Sequence, residues 1–257
     1  MCLLNRLSRL IVFVVIFFNA LVLLEQNKQV SLVIPTAEDE ASYIWQNIKD
    51  IGFFDKNGYS VNFPRWTFVD SLLNSSRKNE LNQSNYNELI KFIVDSVYNI
   101  NDYSKGSDKI TYGISTIEYA ITQLSKQNWS WDFLIFTYYK IKLTLYGPGG
   151  SYNNETGVIL LQTFPNGGFK GYNSPINTII HEIVHIGIEK SIIWKYKLSH
   201  TQKERLVDLF VSIYFGDLLP DYKLQEFGDK RLDKYFREKK DLLELPNLVE
   251  QFLQENS

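Results

Sequence analysis

Only one of the 257 residues is a cysteine, Cys2, so the chain can form no intrachain disulfide and build no cysteine-ligated zinc site. Charge of one sign is lacking too. Basic side chains number 27 against 29 acidic ones, a net charge of −2, and this excludes an electrostatic case for nucleic acid as a partner. Low-complexity tracts and internal repeats are absent, and no G-K-[ST] turns the glycines of 166–171 into a phosphate-binding loop. Histidine is scarce: all three stand between positions 177 and 208.

What is present, 44% hydrophobic and 15% aromatic residues, suffices for one sizeable core. Residues 31–257 are expected to fold as a single domain. The one long apolar run, residues 10–24, follows Arg6 and Arg9, the charged and hydrophobic regions of an export signal. As a helix its fifteen residues reach about 22 Å, short of the ~30 Å hydrocarbon core. No small-x-small cleavage site follows, and the run passes straight into Glu25-Gln26-Asn27-Lys28. Residues 1–30 therefore read as an uncleaved signal anchor holding the chain to a membrane through 10–24, or else as a cleaved signal peptide. Either form places the folded part outside the cytoplasm, membrane-anchored in the first case and secreted or periplasmic in the second.

The period of the apolar residues divides the domain. Residues 31–130 read as helical packing, with helices from about 36 to 52, 85 to 100 and 108 to 126, and with no sign of chemistry. At 131 the period changes to two. Ile141, Leu143 and Leu145 alternate with polar neighbours, and a second strand follows over 157–163, so the pair reads as a hairpin with a wide loop in a small, mostly antiparallel sheet. Beyond 217, mixed charges and spaced apolar residues predict helices broken at Pro246 that close the lower half of a cleft. The fold class is α+β.

The chemistry lies in His181-Glu182-Ile183-Val184-His185, an H-E-x-x-H pattern. On a helix the two histidines share one face, roughly 5–6 Å apart at Cβ, and can converge on one metal ion. On a strand they would be about 13 Å apart. Ser174-Pro175 and the spacing of Ile176, Ile179, Ile180, Ile183, Val184 and Ile188 predict the helix. Catalytic zinc takes three protein ligands, so a third is needed. Thr201-Gln202-Lys203-Glu204 reads as a capping box opening another helix, with Glu204 and Asp208 one turn apart on it. Glu204 is the candidate third ligand and Asp208 the acceptor for the free ring N–H of a zinc-bound histidine. His200 is the rival ligand.

His181-Glu182-x-x-His185 followed some twenty residues later by Glu204-x-x-x-Asp208 resembles the gluzincin metallopeptidases, the thermolysin-like group of zincins. The match covers about a quarter of the chain. The resemblance implies a zincin-like fold, Zn2+ held by His181, His185 and Glu204, Asp208 behind them, Glu182 as general base and a peptide or protein substrate. It also implies an edge strand that pairs with substrate backbone, for which 157–163 is the candidate. Tyr196, His200, Tyr214 and Tyr222 are open as stabilisers of the developing oxyanion. Two other classes stay open: a zinc hydrolase of something other than peptides, and a membrane-anchored interaction protein with a structural or vestigial zinc site.

Overall fold

Alternation over Tyr139–Thr144 (β2) builds the strand around which the sheet assembles, with Tyr139, Ile141 and Leu143 facing the core. The computed structural model describes residues 29–171 and 174–256. The expectations for residues 1–28, including the membrane segment, lie outside them. Among the described residues no helix is long and apolar enough to cross a membrane.

Val30–Val33 (β1) flanks β2 on one side and Val158–Gln162 (β4) on the other, both parallel to it, with Val30 opposite Tyr139 and Lys140 opposite Val158. The short strand Ser151–Asn153 (β3) runs antiparallel along the outer side of β4, giving the order β1-β2-β4-β3. Two expectations are corrected. The sheet is mixed with two of its three pairings parallel, and β2 and β4 are not a hairpin. The chain leaves β2 and steps past one strand position through Gly147 and Gly149, which adopt φ of 114° and 137°. It then descends as β3 before climbing back as β4 between the two, so the hairpin is β3–β4. Nor is the region from 31 to 130 purely helical, since it begins in β1, whose four residues are too few to show a period.

Four helices follow β1: Ala37–Lys49 (α1), Ile51–Lys56 (α2), Thr67–Arg77 (α3) and Gln83–Phe92 (α4). A capping box between Thr36 and Asp39 starts α1. Ala41, Ile44, Ile48, Val69, Leu72, Leu89 and Ile93 give this group a small core of its own. It is tied to the sheet by Glu40, whose Oε1 accepts from the Leu145 N–H at 2.8 Å and from Thr144 Oγ1 at 3.1 Å.

The main core lies between the sheet and three helices: Ser104–Lys126 (α5), Pro175–Ile188 (α6) and His200–Phe215 (α7). Every residue of α6 except Ile176 is buried, which explains its isoleucine content: a helix apolar all round belongs inside a protein. Close passage of α5 depends on Gly113, where a Cβ would collide with Ile176. After α7 come a short 3-10 turn at Lys230–Lys234 and helices Lys239–Leu243 (α8) and Leu245–Glu255 (α9). Pro246 sits in the first turn of α9, where a missing N–H costs no hydrogen bond.

Candidate metal centre

Ser174 stands at the N-cap of α6 and Pro175 fixes its first turn, so the helix phase expected from the sequence is the one adopted. His181 and His185 accordingly face the same way, their Nε2 atoms 3.0 Å apart, with 3% and 2% of their surface exposed. The third donor comes from α7. That helix is capped by Ser199, whose hydroxyl accepts from Gln202 N while Gln202 Oε1 accepts from Ser199 N. Thr201 and Glu204 therefore do not form the expected capping box. The cap begins two residues earlier, and the Glu204 side chain is released to reach across to α6.

Glu204 Oε2 lies 3.4 Å from His185 Nε2 and 3.7 Å from His181 Nε2. A triangle with these sides and the 3.0 Å nitrogen pair has a point about 2.0 Å from all three atoms, the bond length of zinc to nitrogen and carboxylate oxygen. The buried His181, His185 and Glu204 can hold a metal ion. Two neutral imidazoles and a carboxylate suit a transition-metal ion such as zinc or iron(II), whereas calcium and magnesium favour all-oxygen shells.

Asp208 is fully buried one turn along α7. Its Oδ1 accepts from the Tyr222 hydroxyl at 2.7 Å, and the same hydroxyl lies 2.7 Å from His181 Nδ1, with Nδ1 and Oδ1 themselves 3.5 Å apart. A phenol that donates to the carboxylate must accept from the ring. The His181 proton then sits on Nδ1, and the lone pair on Nε2 faces the metal position. The Gln225 N–H holds the other carboxylate oxygen at 2.6 Å.

His200, the rival ligand, stands outside the triad. Its Nδ1 is 3.6 Å from the other oxygen of Glu204, and its Nε2 is 2.6 Å from the hydroxyl of Tyr59.

The charges are strongly coupled. Burial lowers the His185 ring to about 4 against the pull of Glu204. Burial works the same way on His181, but the carboxylates of Glu204, Glu182 and Asp208 outweigh it and raise that ring. Burial acts to raise Glu204, and both imidazoles overcome it and hold the carboxyl below the usual range. Glu182, 7% exposed, is not among the three donors; burial pushes it up to about 7.

With Asp208 buried behind them, His181, Glu182, His185, His200 and Glu204 line a cleft of about 600 Å³. Its other walls are Tyr59 from the turn after α2, Gly150, Ser151 and Tyr152 leading into and along β3, Lys170 and Gly171, and Lys203 and Phe227. Helices α8 and α9 contribute no residue to its lining, so the expectation that they close the cleft is corrected: they pack into the main core through Leu242, Leu245, Val249 and Phe252. The strand at the edge beside the cleft is β3, not 157–163, because β4 is paired on both sides. Tyr196 and Tyr214 do not line the cleft, and Tyr222 is engaged with His181 and Asp208.

Tyr59 and Tyr152 went unread in the sequence. Neither lies at a motif spacing, and only the path of the chain brings them to the metal position. No protein family, curated protein or solved structure compared with the chain matches it.

Proposed function

We propose that the protein is a zinc metallopeptidase of gluzincin type, with zinc held by His181, His185 and Glu204. The observation that carries this reading is Glu182, a buried carboxyl that lines the same cleft and takes no part in the ligand triad. A metal site that served structure alone would have no use for a base beside it.

A bound zinc ion supplies Lewis acidity, polarising the scissile carbonyl and acidifying water at the cleft. Glu182 takes the proton of the attacking water on a carboxylate oxygen and passes it to the leaving amine nitrogen. Asp208 and Tyr222 keep the His181 proton on Nδ1. To His200, backed by the Tyr59 hydroxyl, falls the stabilisation of the carbonyl oxygen, and both side chains line the cleft. An extended peptide fits the site because β3 pairs with β4 on one side only, with Ser151 and Tyr152 at the cleft wall. The substrate is a peptide or protein outside the cytoplasm, reached by a domain that residues 10–24 anchor to the membrane.

The test is zinc content and cleavage of an unfolded protein, wild type beside Glu182→Gln. One zinc per chain with turnover in the wild type, and zinc retained with at least ~10²-fold less turnover in the variant, is expected. Protein that carries no zinc and takes none up removes the metal reading. A zinc-loaded wild type without peptidase activity would favour a structural metal or another hydrolysis.

A further inference from the structure

The two histidines of the centre are held in different ways. His181 is oriented through its Nδ1 by Tyr222 and Asp208. His185 has no such support: its Nδ1 is buried and has no hydrogen-bond partner among the described residues. A metal-ligating imidazole normally gives its second nitrogen to a carboxylate, carbonyl or water, which stops the ring from turning about its χ2 axis.

What lies against His185 is the ring of Tyr152. The two planes are 13° apart with centroids at 5.0 Å, an offset stack. Tyr152 is itself held at both ends. Its backbone is paired with Ile159 in the β3–β4 hairpin. Its hydroxyl donates to Glu189 Oε2 at 2.6 Å and accepts from Lys203 Nζ at 3.3 Å. Glu189 is buried one turn beyond His185, and Lys203 is the neighbour of Glu204 in α7. One phenol thus ties the edge strand to α7 and to the turn that continues α6 at Glu189.

We propose that Tyr152 is the positioning residue of His185, fixing by stacking the ring rotation that a hydrogen bond fixes at His181, with Glu189 and Lys203 holding Tyr152 in turn. This rests on the metal reading above and adds to it a route by which the cleft-wall strand reaches a ligand. Among the side chains described around His185, Tyr152 is the one that meets the ring face to face. His181 meets it edge-on at 75°.

The full-length protein, purified in detergent, tests the assignment by zinc affinity in competition with a chelator and by the visible spectrum of the cobalt(II)-substituted form. Tyr152→Leu, which keeps bulk and loses the stack, is expected to bind zinc ~10–100-fold more weakly and to shift the cobalt bands. Tyr152→Phe keeps the ring and should keep the spectrum and most of the affinity. Unchanged affinity and spectrum in Tyr152→Leu would overturn the proposal, as would a loss in Tyr152→Phe as large as in Tyr152→Leu. Wild-type protein that binds neither metal overturns the reading underneath instead, so the two failures are told apart. If Tyr152→Leu does not fold, proton NMR of the metal-free wild type decides: His185 ring protons shifted upfield by the stacked ring support the proposal, and unshifted ones overturn it.

Discussion

Gly150 approaches Glu182 so closely that a Cβ added to it would stand 2.7 Å from the carboxylate Oε1, with Thr178 Cγ2 at 3.0 Å on the other side. Gly150 is not in the left-handed region, so alanine there strains no backbone and the clash falls first on the Glu182 carboxylate and then on Thr178. Gly150→Ala is expected to leave zinc in place and lower turnover ~10²-fold, the cost of an ångström's misplacement of a reacting group. Steady-state rates beside metal analysis check this. A variant with wild-type turnover would mean that the Glu182 carboxylate is not required where it stands.

The donor triangle orders three further substitutions by zinc affinity. Glu204→Ala removes a ligand and should weaken binding severely. Asp208→Ala leaves the ligands intact but frees the His181 ring, and should cost ~10–100-fold. His200→Ala should leave affinity nearly unchanged while slowing turnover. Chelator competition on the three purified proteins decides, and a His200→Ala protein stripped of metal would overturn the assignment of Glu204.

Glu40, which does not line the cleft, makes stability depend on pH. Burial pushes its carboxyl up to about 6, against hydrogen bonds from Leu145 N and Thr144 that favour the ionised form. With the folded value above that of the unfolded chain, the folded state holds the proton to higher pH. This contribution is full below pH 4.5 and is lost as pH rises through about 6, roughly 2 kcal/mol in all. Glu40→Gln, which cannot ionise, should unfold at higher urea than the wild type at pH 8, and the gap should close towards pH 4.5. Parallel pH profiles for the two proteins would refute the assignment.

The proposed N-terminal anchor carries a prediction of compartment. With Arg6 and Arg9 ahead of residues 10–24, a reporter fused after Ser257 is expected to work only if it is active outside the cytoplasm. A fusion active solely in the cytoplasm excludes that topology. A new N-terminus near residue 25, seen by mass spectrometry, selects the cleaved form.

The site was legible in the sequence wherever local spacing determines geometry. His181 and His185 converge because a helix brings i and i+4 together, and Ser174-Pro175 marked that helix. Glu204 and Asp208 were reached by the same logic, although the wrong cap was assigned to their helix: Ser199 and Gln202 compete at almost the same register, and both choices put Glu204 in the first turns. Tyr59 and Tyr152 could not be read, and Tyr222 was named only as one of four oxyanion candidates, since each meets the histidines only through the tertiary path. Strand direction was illegible for another reason. A period of two shows which side chains share a face and is the same for a parallel and an antiparallel neighbour, so Ile141 and Ile159 look alike in either topology. Helix α3 was not read, although Phe68, Val69, Leu72 and Leu73 recur at helical spacing and pack on the small core.

The position of β1 bears on where such an enzyme could work. Val30 is already paired with Tyr139, and the Gln29 carbonyl accepts from Tyr139 N at 2.7 Å. Between that fixed point and the end of the apolar run at Leu24 stand residues 25–28, four residues that reach at most ~14 Å when fully extended. A domain anchored through 10–24 is therefore leashed to the bilayer surface and cannot sweep the surrounding solution. If residues 10–24 are that anchor, the cleft would meet chiefly polypeptides embedded in the membrane, emerging from it or lying upon it, or those that diffuse to its surface.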